Sequence, residues 1–164
     1  AALAICDSLH GIAESAEIRT IMDAARANTA DLAQIERVLG ANAPRELAAL
    51  YRQIASFNIA DRHNLAGRFD ACPAVDLGGK GFPILFLCGV EDRLFPIEAV
   101  RVAQADVAGS FLVEINDAGH SAFLEAPTQF NDTILSLLQM AGHVGKAGAA
   151  HSNAAGYTPV GGAA

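Results

Sequence analysis

The pattern of apolar and polar positions predicts three helices in the first third of the chain. A first helix follows Ser15 and a second follows Thr29, because both residue types are common helix N-caps. Gly40 ends the second helix, and Pro44 opens a third at its first turn. In each helix the apolar residues recur at intervals of three and four and share one face. They are Ile18, Ile21, Met22 and Ala25; Leu32, Ile35, Val38 and Leu39; and Leu47, Leu50, Tyr51, Ile54 and Phe57. Residues 14–66 are therefore predicted to be helical.

The rest of the pattern alternates short apolar runs with helical segments. The runs Leu3–Cys6, Ile84–Cys88 and Phe111–Ile115 have the length and composition of buried strands. Helical segments at Ile97–Val107 and Pro127–Met140 follow the second and third runs. Strands that alternate with helices imply a parallel sheet with right-handed crossovers, so the predicted fold class is α/β.

These elements predict a division of the chain into a core, a helical insertion and a tail. The core comprises residues 1–13 and 67–141, and residues 67–81 within it are rich in turn-forming residues. The insertion comprises residues 14–66. Residues 142–164 are rich in Ala and Gly and cannot bury enough apolar surface to order themselves, so they are predicted to be a disordered tail.

Composition excludes several classes of partner. The net charge of −7 argues against binding to nucleic acid or to an anionic membrane surface, and no apolar run reaches the length of a membrane-spanning helix. The three cysteines, Cys6, Cys72 and Cys88, are too widely spaced for a disulfide framework or zinc pairs. Buried free thiols and a cytoplasmic location are therefore expected, with no metal and no organic cofactor. The oligomeric state cannot be read from the sequence.

Two strand ends carry the candidate chemistry. The run Ile84–Cys88 leads to Asp92, and the run Phe111–Ile115 leads through a glycine-containing turn to His120. The carboxyl ends of parallel strands meet at one edge of a sheet, where active sites of this class lie. A carboxylate that orients a histidine equips the histidine to move protons. Asp92 and His120 are therefore predicted to be a catalytic pair, with the order acid before histidine.

The residues around this pair resemble the α/β-hydrolase family. The segment Pro83–Pro96, PILFLCGVEDRLFP, is similar to the acid-bearing strand and loop of that family, and Ala118–Pro127, AGHSAFLEAP, is similar to its final Gly-His loop. The resemblance covers residues 83–140 well. It implies that Asp92 is the acid of a nucleophile-His-Asp triad and His120 its base. It also implies that Leu3–Gly11 is the sixth strand and its loop, and that the helical insertion is the cap of the family.

The nucleophile elbow of the family, Gly-x-Ser-x-Gly, does not occur in these 164 residues. The elbow precedes the sixth strand in the family, so we expect the chain to be a C-terminal portion that lacks the nucleophile and is inactive alone. The resemblance implies a hydrolase that acts on a small ester or a related bond, with a small-molecule substrate. Some relatives use Asp in place of Ser. The alternative is a non-catalytic binding module that keeps the pocket.

Other residues near the motifs receive secondary roles. Met22, Tyr51 and Phe57 are candidates to line an apolar substrate pocket. Glu91 is expected to be a solvated neighbour of Asp92, and Glu125 is expected to stabilise the start of the last helix through its dipole. Ser8 and His10 are expected to be loop residues, and His63, His143 and His151 show no metal-binding spacing.

Overall fold

The protein is described by a computed structural model, which covers residues 1–9, 11–57 and 71–143. Within these ranges it forms three strands and seven helices. In chain order they are β1 (Leu3–Cys6), α1 (Ala16–Thr29), α2 (Gln34–Val38), α3 (Arg45–Ser56), α4 (Ala74–Leu77), β2 (Ile84–Gly89), α5 (Ile97–Ala105), β3 (Phe111–Ile115), α6 (Ala122–Glu125) and α7 (Pro127–Met140). The predicted helical residues 58–66, the tail from residue 144, and His10, His63 and His151 lie outside the described residues.

The three strands form one parallel sheet in the order β1-β2-β3, which confirms the predicted arrangement. Leu3 lies opposite Ile84 in the first pair, and Leu85 lies opposite Phe111 in the second. Every residue of β2 is buried, as expected for a central strand that is covered on both faces. The carboxyl ends of all three strands therefore meet at one edge, which the candidate catalytic residues follow.

Each face of the sheet carries its own apolar core. On one face, α1 and α5 pack against each other, and Ile18, Met22 and Val100 lie in one cluster with Phe86 of β2. On the other face, Leu137 of α7 packs in a cluster with Leu87 and Ile115. The alternation along β2 sends Phe86 to one side and Leu87 to the other, so a single strand anchors both cores.

The predicted start of the second helix is wrong. Thr29 is the last residue of α1, and its Oγ1 donates a hydrogen bond of 2.8 Å to the carbonyl oxygen of Ala25. A hydroxyl used in this way cannot cap the next helix, which begins only at Gln34. The predicted cap of the first helix is confirmed, because Ser15 Oγ accepts the N–H of Ile18 at 3.2 Å.

Smaller differences concern boundaries and short elements. β2 extends one residue further, to Gly89, and α5 ends at Ala105 instead of Val107. The four-residue helices α4 and α6 lacked any periodic signal, because so short a segment shows no repeat. The assignment of residues 14–66 to a separate cap stays a prediction. Among the described residues, no helix is both long and apolar enough to cross a bilayer.

Candidate active site

Asp92 is fixed by backbone donors in the loop after β2. Its N–H donates to the carbonyl oxygen of Gly89 at 3.1 Å, which closes the turn at the strand end. Its Oδ1 accepts the N–H groups of Leu94 at 2.8 Å and of Phe95 at 3.0 Å. This is the local bonding that Asp favours in turns. The side chain is 0% exposed, so only Oδ2 remains for a partner from another element.

That partner is His120. Its Nδ1 lies 3.0 Å from Oδ2 of Asp92. An ionised carboxylate only accepts hydrogen bonds, so Nδ1–H is the donor and Nε2 is left to exchange protons. The ring also stacks on Phe95, with ring centroids 5.8 Å apart and an interplanar angle of 22°. The structure thus brings together the two residues that the sequence predicted as a pair.

The two loops approach closely because glycines stand at the contact. Glu91 donates its N–H to the carbonyl oxygen of Ala118 at 2.9 Å, which joins the acid loop to the histidine loop. A Cβ on Gly89 would overlap the carbonyl oxygens of Ala118 and Gly119. No other residue type fits at position 89 unless the histidine loop moves, so Gly89 sets the separation of Asp92 from His120.

Asp7 is a third acidic residue at this edge, and the sequence analysis missed it. It follows β1, its backbone is left-handed at φ 46°, and its Oδ1 accepts the N–H of Gly89 at 3.1 Å. It is 6% exposed. Burial raises the pKa of Asp7 to about 7, assisted by the charge of Asp92, while the bond from Gly89 and the charge of His120 oppose the rise. The position of Asp7 directly after a predicted strand was the signal in the sequence that could have identified it as a site residue.

Three carboxylates control the charge of the histidine. Burial lowers the pKa of His120, but the hydrogen bond and charge of Asp92 outweigh that effect, and Asp7 and Glu125 add to it. The pKa of His120 is therefore raised above its ordinary value. The imidazolium form is stabilised, as a histidine that accepts a proton during a reaction requires.

His120 lines a cavity of about 350 Å³. The other residues of its wall are Cys6, Asp7, Ser8, Phe95, Phe123 and Phe130. The wall is thus mainly apolar with a few polar groups, a composition typical of small-molecule sites. Among the described residues, Met22, Tyr51 and Phe57 do not line it. Met22 lies in the core beneath the sheet and Phe57 is 82% exposed. Their role in substrate binding stays a prediction.

Two cysteines lie near the pair, and both are held as thiols. Burial, assisted by the charge of Asp7, raises the pKa of Cys6 to about 11. Burial also raises the pKa of Cys88, whose Sγ lies 3.3 Å from the carbonyl oxygen of Gly89. Ligand atoms of Asp7, Cys88 and Asp92 lie within 4.8 Å of one another. Both carboxylates already accept hydrogen bonds there, and the thiol does not ionise readily, so the set is poorly suited to a cation.

Two glutamates differ from their expected roles. Glu91 is not merely solvated, because its Oε2 accepts the N–H of Ala41 at 2.6 Å. Glu125 does not act only through the dipole of the last helix. Its Oε2 accepts the N–H of Gly40 at 2.7 Å, and its Oε1 accepts the N–H of Gly119 at 2.9 Å. Glu91 and Ala41 are 50 residues apart in the sequence, and Glu125 and Gly40 are 85 residues apart. The local sequence around each glutamate therefore gives no sign of these two bonds.

Together, the parallel sheet, the flanking helices and the acid–histidine pair after adjacent strands define a protein of the hydrolase-like α/β class. The sequence matches the model of the family described as alpha/beta hydrolase fold over residues 9–127, and the chain belongs to this family.

Solved structures share this fold. A thermophilic esterase from Thermogutta terrifontis superposes with a TM-score of 0.59 at 21% identity, over 87% of this chain and 57% of that one. The protein Rv0554 from Mycobacterium tuberculosis gives 0.61 at 14% identity, over 85% and 57%. An esterase from Exiguobacterium antarcticum gives 0.57 at 17% identity, over 84% and 57%. The chain thus spans 57% of the length of these three proteins. A comparison with curated proteins found no match.

Proposed function

We propose that this chain supplies the acid and the base of a hydrolase that cleaves a small ester or a related bond. Asp92 is the acid, His120 is the base, and the nucleophile is not among these 164 residues. The observation that carries the proposal is the 3.0 Å contact between His120 Nδ1 and the buried Asp92 carboxylate, beside a cavity. Two of the similar solved structures are described as esterases, which supports the reaction class.

In the proposed reaction, His120 moves one proton in each direction. As the nucleophile hydroxyl attacks the ester carbonyl carbon, His120 Nε2 takes the hydroxyl proton. It then returns that proton to the leaving alkoxide, and an acyl-enzyme remains. Water repeats the sequence and releases the acid. Asp92 holds the ring in the tautomer with Nδ1–H and stabilises the imidazolium, without accepting the proton.

The cavity wall favours a small substrate with an apolar part. Phe95, Phe123 and Phe130 supply apolar surface next to the histidine, and the cavity volume of about 350 Å³ is at the lower end of the range for ligand sites. Asp7 places a carboxyl group in the same wall, which disfavours a substrate whose anionic group would lie there. We therefore propose neutral, short-chain esters as the substrate class.

The first test uses the chain as it is. Purified protein and its His120→Ala variant are compared for hydrolysis of nitrophenyl acetate and butyrate. We expect equal rates, because loss of a triad nucleophile lowers turnover on the order of a million-fold. Turnover above the His120→Ala control would contradict the missing nucleophile. Ser8→Ala would then identify the nucleophile, because Ser8 lines the cavity, whereas the raised pKa of Cys6 makes its thiol a poor one.

The second test reads the coding sequence before Ala1. A Gly-x-Ser-x-Gly elbow there, followed by ester hydrolysis that requires Asp92 and His120, would support the proposal. An Asp at the elbow position would shift the substrate class to the bonds that such relatives cleave. The absence of any elbow would favour the alternative function, a binding module that retains the cavity without chemistry.

A further inference from the structure

We infer that Glu91 and Glu125 are positioning residues that clamp the loop formed by residues 39–41 onto the Asp92 and His120 loops and thereby fix the catalytic pair. The 39–41 loop connects α2 to α3. Glu91 precedes Asp92 in the acid loop, and Glu125 follows His120 in the chain, so each glutamate brings its carboxylate from the side of one member of the pair. The inference deepens the proposed function, on which the catalytic importance of the pair rests, but the clamp itself is a matter of contacts that can be measured without any turnover.

The Glu125 half of the clamp joins two loops through one carboxylate. Its two oxygens take one N–H each, from Gly40 at 2.7 Å and from Gly119 at 2.9 Å. Gly119 directly precedes His120 in the chain. Hydrogen bonds from N–H groups to a carboxylate are stronger than bonds between neutral groups. The backbone at the histidine is therefore tied to a segment that lies about 80 residues earlier in the sequence.

The Glu91 half ties the same loop to the acid. Glu91 directly precedes Asp92, and its Oε2 accepts the N–H of Ala41 at 2.6 Å. A third tie lies beside it, because the guanidinium of Arg93 donates to the carbonyl oxygen of Glu36 in α2 at 2.7 Å. Residues on both sides of Asp92 are thus bonded to α2 or to the loop that follows it.

Two glycines make this convergence possible. A Cβ on Gly119 would lie 2.7 Å from the carbonyl carbon of Leu39, and a Cβ on Gly40 would lie 2.8 Å from Glu91 Oε2 and 3.1 Å from Glu125 Oε2. Real Cβ atoms essentially never come within 3.0 Å of another non-bonded atom, so a side chain at Gly119 would displace the backbone of the 39–41 loop, and one at Gly40 would displace the carboxylate of Glu91. The backbones of the 39–41 loop and the histidine loop therefore touch directly, with both carboxylates at the contact.

Because Glu125 accepts two N–H groups and Glu91 accepts one from this contact, the two residues should respond differently to substitution by glutamine. Glutamine has one oxygen that accepts and one amide group that only donates. At position 91 it can still accept the single N–H of Ala41. At position 125 it can accept only one of two N–H groups, and its own NH₂ then faces the other. Glu125→Gln should therefore disturb the site more than Glu91→Gln does.

Nuclear magnetic resonance of the 164-residue chain tests the clamp through two readouts. The first is amide hydrogen exchange, in which Glu125→Gln should accelerate Gly40 or Gly119 about ten-fold or more. The second is the pair of ¹⁵N shifts of the His120 ring, which report its tautomer. In the wild type the shifts should indicate Nδ1–H, and in Glu125→Gln they should move towards a mixture of tautomers. Glu91→Gln should produce a smaller change, centred on Ala41.

Glu36→Gln is the matched control. Glu36 Oε2 also accepts a backbone N–H, that of Ala33 at 2.9 Å. Glu36 lies in α2, and within the described part of the chain its side chain has no hydrogen bond to the acid or histidine loop. Glutamine at position 36 can still accept this N–H, and the variant should leave the His120 shifts unchanged. Wild-type exchange and wild-type His120 shifts in Glu125→Gln would overturn the inference, as would an equal His120 change in Glu36→Gln. If Glu125→Gln does not fold, Glu91→Ala, which removes the acceptor of the Ala41 N–H, takes its place, and unchanged Ala41 exchange in that variant overturns the inference.

Discussion

Asp7 makes the stability of this fold depend on pH in a direction opposite to that of most paired carboxylates. Its carboxyl group is 6% exposed, and burial raises its pKa from 3.8 to about 7. Between these values the folded chain holds a proton that the unfolded chain releases. The unfolded state therefore binds fewer protons, and the free energy of unfolding falls as the pH rises through this window.

The magnitude follows from the two pKa values. With 3.8 in the unfolded chain and about 7 in the folded chain, proton linkage makes the fold about 2–3 kcal/mol more stable at pH 5 than at pH 8. His120 acts in the same direction, because its pKa is also raised and its contribution is lost as the pH rises through the folded value. Asp7→Asn removes the contribution of Asp7 to this pH dependence and weakens that of His120. The amide oxygen of the substituted side chain can still accept the N–H of Gly89.

Urea unfolding between pH 5 and pH 8 measures this prediction. We expect the wild type to lose stability across the range and Asp7→Asn to lose less, with a difference of at least about 2 kcal/mol between the two changes. Asp132→Asn, which removes an exposed carboxylate from α7, is the control and should follow the wild type. Parallel curves for wild type and Asp7→Asn would refute the reasoning, because they would mean that Asp7 titrates alike in both states.

Three further predictions concern the pair and its loops. In a protein that joins this chain to the proposed nucleophile, Asp92→Asn should lower kcat about a thousand-fold with little change in KM, whereas Glu114→Gln, which loses only the exposed ion pair with Arg101, should not. In the same protein, kcat/KM should rise with pH with a midpoint above about 6.5, because base catalysis needs neutral His120, whose pKa is raised; a midpoint below that value would contradict the effect of the carboxylates. Gly89→Ala should lower the free energy of unfolding by about 1–3 kcal/mol and shift the His120 resonances, since its Cβ would meet the histidine loop; Gly79→Ala, in open space, should leave those resonances in place.

The sequence predicted those features that local signals encode. The three strands carry apolar runs, and Ser15 and Pro44 mark helix starts through their own chemistry, so these elements were found within a few residues. The pairing of Asp92 with His120 followed from one further rule, the meeting of parallel strand ends at a single edge. Thr29 shows the limit of such signals. Its hydroxyl can either cap a following helix or bond back into its own, and the sequence does not distinguish the two.

The features that the sequence could not show depend on burial and on distant partners. The position of Asp7 after a strand end was visible, but its raised pKa depends on how completely the surrounding residues exclude water. The bond between Glu125 and Gly40 joins residues 85 positions apart, so no periodicity or spacing records it. Glutamates are usually solvated, and this average misled the interpretation of Glu91. Glu125 was instead assigned to the dipole of the following helix, because its position shortly before that helix was the only local signal it carries.

The choice of Asp92 over Asp7 as partner of the histidine has a physical basis in the donors around each carboxylate. Both carboxylates are buried at the same edge of the sheet, and each follows the end of a strand. Position alone therefore does not decide which of them orients the histidine. The Oδ1 of Asp92 is bonded to two backbone N–H groups of its own turn, which fixes the carboxylate with Oδ2 directed at His120 Nδ1. The Oδ1 of Asp7 is instead used to tie β1 to Gly89. Asp7 therefore acts on the histidine through its charge, whereas Asp92 acts through a directed hydrogen bond. Only a directed bond selects a tautomer, which is why we propose the acid role for Asp92 and not for Asp7.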